Sequence, residues 1–187
     1  MNHGTPGKCL NRAVFLDRDG VLNRACVRDG KPYAPRSLRD FRLLPSVGAA
    51  VGRLKDAGFL VIVVTNQPDI GNGLVDPAEV EAMNARLTDR VPVDGLMMCP
   101  HRQDEGCACR KPRPGMILEA ARKWSIELGA SYLIGDRESD IVAGRTAGCS
   151  TILVDRRHGE GCRIAPDARA PSLAAAVNGI LLRQSDA

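Results

Sequence analysis

The chain has 187 residues, 44% hydrophobic and 26% charged, the composition of an ordinary globular domain built on one core. No apolar run reaches the roughly 20 residues of a bilayer crossing, and the polar, Gly- and Pro-bearing start carries no signal-peptide pattern, so a cytoplasmic protein without membrane partners is expected. The 26 Lys and Arg against 22 Asp and Glu are scattered, and aromatic residues are only 3%, which excludes a nucleic-acid-binding stripe and leaves a small anionic ligand.

Residues 1–11 read as a disordered tail, and 12–187 as a single domain. The apolar run at 13–16 ends in Asp17. Pro45-Ser46 opens a helical pattern with Val47, Ala50, Val51 and Leu54 on one face, closed by Gly58. The continuous β-branched run 59–64 suits a strand covered on both faces and ends at Thr65. Asp76-Pro77 starts a helix, with Glu79 placed to reach back to the cap and Val80, Met83 and Leu87 inward. A third run, 95–98, leads into a cysteine cluster, and Pro114-Gly115 begins a helix carrying Ile117, Ala120, Ala121 and Trp124. A fourth strand, 132–134, ends in Gly135-Asp136, and a short helix opens at Ser139 or Asp140 and stops at Gly148. A fifth strand over 151–154 and a last apolar helix over 173–182 complete the chain. Strands alternating with helices imply an α/β, Rossmann-like parallel sheet with helices on both faces, whose ligands sit beyond the carboxyl ends of the strands.

Asp17, Thr65 and Asp136 stand at those ends, and Lys111 follows the third strand. Asp17 and Asp19 place two carboxylates on one Gly-containing loop, where they repel unless a cation lies between them. Mg²⁺ takes one or two carboxylates plus phosphate oxygens, with Asp136 as a further ligand. One carboxylate can then attack phosphorus while the other serves as acid and base. Thr65, Asn66 and Gln67 can donate to phosphate oxygens, and Lys111 adds a point charge. Taken singly, Asp17 and Asp19 also suit a turn, Thr65 a strand-end cap, Lys111 a solvated charge, and Asp136 with Asp140 a helix start.

Together, Asp17-Arg18-Asp19-Gly20-Val21-Leu22-Asn23, Thr65-Asn66-Gln67, Cys109-Arg110-Lys111-Pro112 and Gly135-Asp136-Arg137-Glu138-Ser139-Asp140 resemble the haloacid-dehalogenase (HAD) superfamily of phosphatases. The resemblance implies that Asp17 is the nucleophile and a Mg²⁺ ligand. It makes Asp19 the general acid/base, which also lends the metal its backbone carbonyl. Thr65 and Lys111 would bind the phosphoryl group and Asp136 complete the metal site, with Asp140 left open as a ligand. Val21 and Pro68 depart from residues common at their positions.

Cys99-Pro100-His101, followed after five residues by Cys107-Ala108-Cys109, offers three thiolates and an imidazole for structural, tetrahedral Zn²⁺ in a loop over 99–109. A redox pair at Cys107 and Cys109, or plain surface thiols, are the other readings. A zinc loop running into Arg110-Lys111 resembles the D-glycero-D-manno-heptose 1,7-bisphosphate phosphatase branch, with its histidinol-phosphate phosphatase relatives. That resemblance implies no large cap domain, a sugar bisphosphate substrate and loss of its C7 phosphate, with histidinol phosphate or another small ester as the alternative. Arg110 would grip a second phosphate or a sugar hydroxyl. Arg28 and Tyr33, in a substrate-facing loop over 26–35, are further expected contacts. A monomer is expected.

Overall fold

The computed structural model describes residues 10–28, 31–155 and 162–185. Its central strand, β1 (Ala13–Leu16), is buried throughout. Period-two alternation sends Val14 and Leu16 into one apolar cluster and Ala13 and Phe15 into another. A short antiparallel hairpin follows, β2 (Cys26–Arg28) and β3 (Lys31–Tyr33). Then come α1 (Val47–Asp56), β4 (Leu60–Asn66), α2 (Pro68–Gly71), α3 (Pro77–Thr88), β5 (Gly95–Cys99) and α4 (Gly115–Trp124). A 3₁₀ turn at Leu128–Ala130 precedes β6 (Tyr132–Gly135), α5 (Glu138–Ala147), β7 (Ser150–Val154), β8 (Ala168–Ala170) and α6 (Leu173–Ser185).

The main sheet has the order β5-β4-β1-β6-β7-β8 and every neighbouring pair is parallel. The chain winds outward from β1 through β4 to β5, then returns to the other side of β1 through β6. The carboxyl ends of β4, β1 and β6 therefore surround a topological switch point, where open α/β sheets bind their ligands. Buried residues of α1, α3 and α6 pack with Val61 and Val63 on one face, and those of α4 and α5 pack with Ile62 and Val64 on the other. Among the described residues no helix is long and apolar enough to cross a membrane.

Several expectations change. The sheet has six strands, because Ala168, Arg169 and Ala170 pair with Ile152, Leu153 and Val154; three residues with an arginine in the middle have too little pattern to read as a strand. The 26–35 loop contains the hairpin. Glu79 does not reach back to its own cap: its Oε2 accepts from the Leu38 N–H at 2.7 Å, pinning the segment before α1, while Asp76 alone caps α3 by accepting from Ala78 N at 2.9 Å. The expected tail falls on residues 1–9, which lie outside the described residues, except at its end. There Asn11 is fixed by backbone hydrogen bonds to Ser125 and Glu127, each 2.8 Å.

Candidate active site

The parallel pairing of β1 with β6 carries one residue past the strand, where the Asp17 N–H donates to Ile134 O at 3.0 Å. That places the Asp17 carboxylate on the rim. Lys111 arrives from the far side and is buried to 4% exposure. Its Nζ donates to Asp17 Oδ1 at 2.8 Å and Val64 O at 2.7 Å and pairs with Asp140 Oδ1 at 2.6 Å. Burial by itself would lower the lysine, but the charges of Asp140 and Asp17 outweigh it and hold the ammonium. Asp140, from the first turn of α5, also accepts from Arg137 N at 3.1 Å.

Asp17, Asp136 and Asp140 each offer an oxygen, and these atoms all lie within 4.8 Å of one another. Burial pushes Asp17 up to about 6, with Asp140 and Asp19 adding to the rise and Lys111 opposing it. Burial, then the charges of Asp17 and Asp140, pushes Asp136 up to about 8. The Oδ1 of Asp136 is buried with no hydrogen-bond donor among the described residues. Gly20, at φ +95°, leaves room for that carboxylate: a Cβ there would lie 2.0 Å from Asp136 Oδ2. Crowded carboxylates with an orphaned oxygen fit a hard divalent cation. Asp140, left open by the sequence, joins the group, whereas the Asp19 side chain turns to other partners.

The Asp19 carboxylate is enclosed by buried donors. Asn23 Nδ2 reaches Oδ1 at 2.9 Å, Gln67 Nε2 reaches Oδ2 at 2.7 Å, and Arg18 NH2 lies 3.2 and 3.1 Å from the two oxygens. Arg18, fully buried, is itself anchored by donating to Asn84 Oδ1 of α3 at 2.8 Å and lies over the Phe41 ring. Thr65 is buried at the end of β4, and its Oγ1 accepts from Gln67 Nε2 at 2.8 Å. The Asn66 amide brackets the main chain of Lys111, donating to its carbonyl at 3.0 Å and accepting from its N–H at 3.1 Å. Asn66 and Gln67 thus hold other site residues through their side chains, a different placement from the expected direct reach to phosphate.

Cys99, His101, Cys107 and Cys109 also bring their ligand atoms within 4.8 Å of one another. The His101 Nδ1 is 3.5 Å from Cys99 Sγ and 3.2 Å from Cys109 Sγ, and Cys107 Sγ lies 3.6 and 3.5 Å from the other two sulfurs. Zn–S bonds of about 2.3 Å and Zn–N bonds of about 2.0 Å give tetrahedron edges of about 3.5–3.8 Å, so the cluster has the right size. Burial pushes the Cys99 thiol up to about 12, a state that a bound cation would reverse. The loop docks on the site: Gln67 N donates to Cys99 O at 2.8 Å and Gly71 N to Pro100 O at 3.0 Å. A Cβ on Gly71 would come within 2.8 Å of that same oxygen.

Arg110 follows this loop, and its Nη1 is buried without a hydrogen-bond partner among the described residues. Tyr33 is 39% exposed on β3. The neighbouring Pro32 carbonyl accepts from Arg137 Nη2 at 2.8 Å, so the hairpin is tied to the residue after Asp136. Arg28 ends β2, and its side chain lies outside the described residues. Sequence reasoning assigned no role to Arg18, Asn23 or Asn84. The oddity of an arginine between two acids at a strand end was the one available signal.

A HAD-hydrolase-like family model matches residues 108–176. The chain is 38% identical over 155 residues to the D-glycero-beta-D-manno-heptose-1,7-bisphosphate 7-phosphatase of Pseudomonas aeruginosa, covering 80% of this chain and 83% of the relative. It is 40% identical over 156 residues to the D-glycero-alpha-D-manno-heptose-1,7-bisphosphate 7-phosphatase of Burkholderia mallei, covering 77% and 79%. The crystal structure of D,D-heptose 1,7-bisphosphate phosphatase from Bordetella bronchiseptica, complexed with magnesium and phosphate, superimposes with a TM-score of 0.80 at 33% identity, covering 92% of this chain and 99% of that one. With relatives of this identity matched over most of both lengths, the chain belongs to the heptose 1,7-bisphosphate 7-phosphatase family of HAD-like hydrolases.

Proposed function

We propose that this chain is a Mg²⁺-dependent phosphatase that removes the C7 phosphate of D-glycero-D-manno-heptose 1,7-bisphosphate, releasing heptose 1-phosphate. The observation that carries the reading is the convergence of Asp17, Lys111 and Asp140 with Asp19 and Thr65 at the switch point of the sheet, in a chain whose relatives bear that activity in their names.

Asp17 attacks phosphorus, forming an aspartyl-phosphate as the bond to the C7 oxygen breaks. Asp19 gives its proton to the departing oxygen, then takes one from the water that attacks phosphorus and frees Asp17. Lys111 and the Thr65 hydroxyl bind the phosphoryl oxygens, whose charge they offset. Asp17, Asp136, the Asp19 backbone carbonyl and Asp140 would hold Mg²⁺. When bound, the ion shields the carboxylates from one another and polarises the phosphoryl group. Arg110, whose buried Nη1 has no hydrogen-bond partner among the described residues, supports binding of a second phosphate. Arg28 and Tyr33 would border the sugar from the hairpin side.

We read Cys99, His101, Cys107 and Cys109 as ligands of a structural Zn²⁺ that stiffens the loop before Arg110 and Lys111. The free thiols among the described residues favour a reducing compartment, the cytoplasm. The scattered charge favours a small substrate over nucleic acid, and we read the chain as a monomer. The product keeps its anomeric phosphate, the group to which activation joins a nucleotidyl unit to make a nucleotide sugar.

Phosphorus NMR tests the reading, with Mg²⁺ and separate tubes of both heptose 1,7-bisphosphate anomers, histidinol phosphate and fructose 1,6-bisphosphate. Selective loss of the C7 signal is expected. Turnover of histidinol phosphate with inert heptose would replace the substrate and leave the residue roles intact.

A further inference from the structure

We propose that Gln67 is a positioning residue that couples the grip on the transferred phosphoryl group to proton transfer at Asp19. The inference rests on the acid/base role given to Asp19 above. Gln67 is 1% exposed. Its main chain is fixed by the bond from its N–H to Cys99 O, and its side chain stands between the ends of β4 and β1. In its ionised form, the one that takes a proton from water, Asp19 can only accept, so the nitrogen of the amide faces it. One Nε2 hydrogen goes to Asp19 Oδ2 at 2.7 Å and the other to Thr65 Oγ1 at 2.8 Å.

Both bonds have a direction that matters. A hydroxyl that accepts from Gln67 turns its own hydrogen elsewhere, so Thr65 is set as a donor, the role that phosphoryl oxygens require. The remaining hydrogen-bond donors to Asp19 among the described residues, Arg18 and Asn23, belong to the same turn as Asp19, which Arg18 ties to Asn84 of α3 and not to the strand end that carries Thr65. Gln67 alone among them comes from a distant part of the chain, one residue past β4, the strand that carries Thr65. It therefore sets the distance between the Asp19 side chain and the phosphoryl group, and one amide group serves both ends of the breaking bond.

The test compares turnover of p-nitrophenyl phosphate with that of an alkyl ester, glycerol phosphate, in Mg²⁺. An aryl oxide leaves with little help from an acid, whereas an alkoxide depends on it. Gln67→Leu and Gln67→Met should lose about 10²-fold in kcat/KM, which reports the steps up to departure of the alcohol, on the alkyl ester and less than about tenfold on the aryl ester. Both esters are measured on one preparation, so any loss of folded protein cancels in the ratio. Inhibition by inorganic phosphate should weaken severalfold in the same variants, because the Thr65 hydroxyl is no longer oriented. Asp19→Asn is the reference and should show the same leaving-group bias more strongly. A biased Asp19→Asn with unbiased Gln67 variants would overturn the inference and leave the acid/base reading standing. An unbiased Asp19→Asn would overturn that reading and the inference with it.

Discussion

Asp136 should mark the binding of Mg²⁺ with a proton. Its carboxyl, moved by burial and by Asp17 and Asp140 from 3.8 up to about 8, is protonated in about nine of ten metal-free molecules at pH 7. Asp17, at about 6, is protonated in about one of ten. A divalent cation requires both as carboxylates, so binding at pH 7 should release about one proton per chain, nearly all from Asp136. Affinity should accordingly tighten by about tenfold per pH unit around neutrality and level off above pH 9. The same shift governs stability. An acid whose folded value lies above its unfolded one leaves the folded state holding more protons between the two, so the metal-free fold loses stability as pH rises from 3.8 towards 8. Mg²⁺ should restore more of that stability at pH 8 than at pH 5. Calorimetric titration of Mg²⁺ in buffers of different ionisation enthalpy counts the proton, and Asp136→Asn should abolish most of the release. A heat independent of buffer at pH 7, or a release that persists unchanged to pH 9, would refute the reasoning.

Asp17→Asn should leave the fold intact and abolish turnover, since it removes the attacking oxygen and little packing; circular dichroism and phosphate release check the two halves. Lys111→Met keeps the buried stem but strands Asp17 and Asp140, which are held at 2.8 and 2.6 Å; kcat should fall by about 10²-fold or more and the melting temperature should drop. Elemental analysis should find about one zinc per chain, and Cys99→Ala should cost about 4 kcal/mol, read as a melting shift of roughly 10 °C. Arg110→Met should raise KM for a sugar bisphosphate by at least about tenfold and leave KM for p-nitrophenyl phosphate nearly unchanged.

Much of the site was legible because its residues occupy strand ends, and strand ends are marked by where an apolar run stops. The run 13–16 stops at Asp17, β4 carries its apolar run to Thr65, and β6 delivers Asp136. The cysteine–histidine spacing was equally open to reading, since all four residues that could hold a metal sit close together between 99 and 109. Side-chain direction was not. Asn66 and Gln67 carry amides that can donate to phosphate or to protein, and the choice depends on Lys111 and Asp19, which lie 45 and 48 positions away.

The alternation of the five main strands with helices, the parallel sheet and the presence of acidic, hydroxyl and lysine side chains at or after the strand ends were legible in the sequence, because periodicity and chain punctuation are local properties. The tertiary structure decided the rest: Arg18 turned inward onto Asp19 and Asn84, Asp140 drawn to Lys111, Gln67 set between Thr65 and Asp19, and the extra strand β8 added at the sheet edge. These outcomes depend on which buried donor meets which acceptor across the fold. A buried polar group must find its partner in space, and no sequence separation announces that partner.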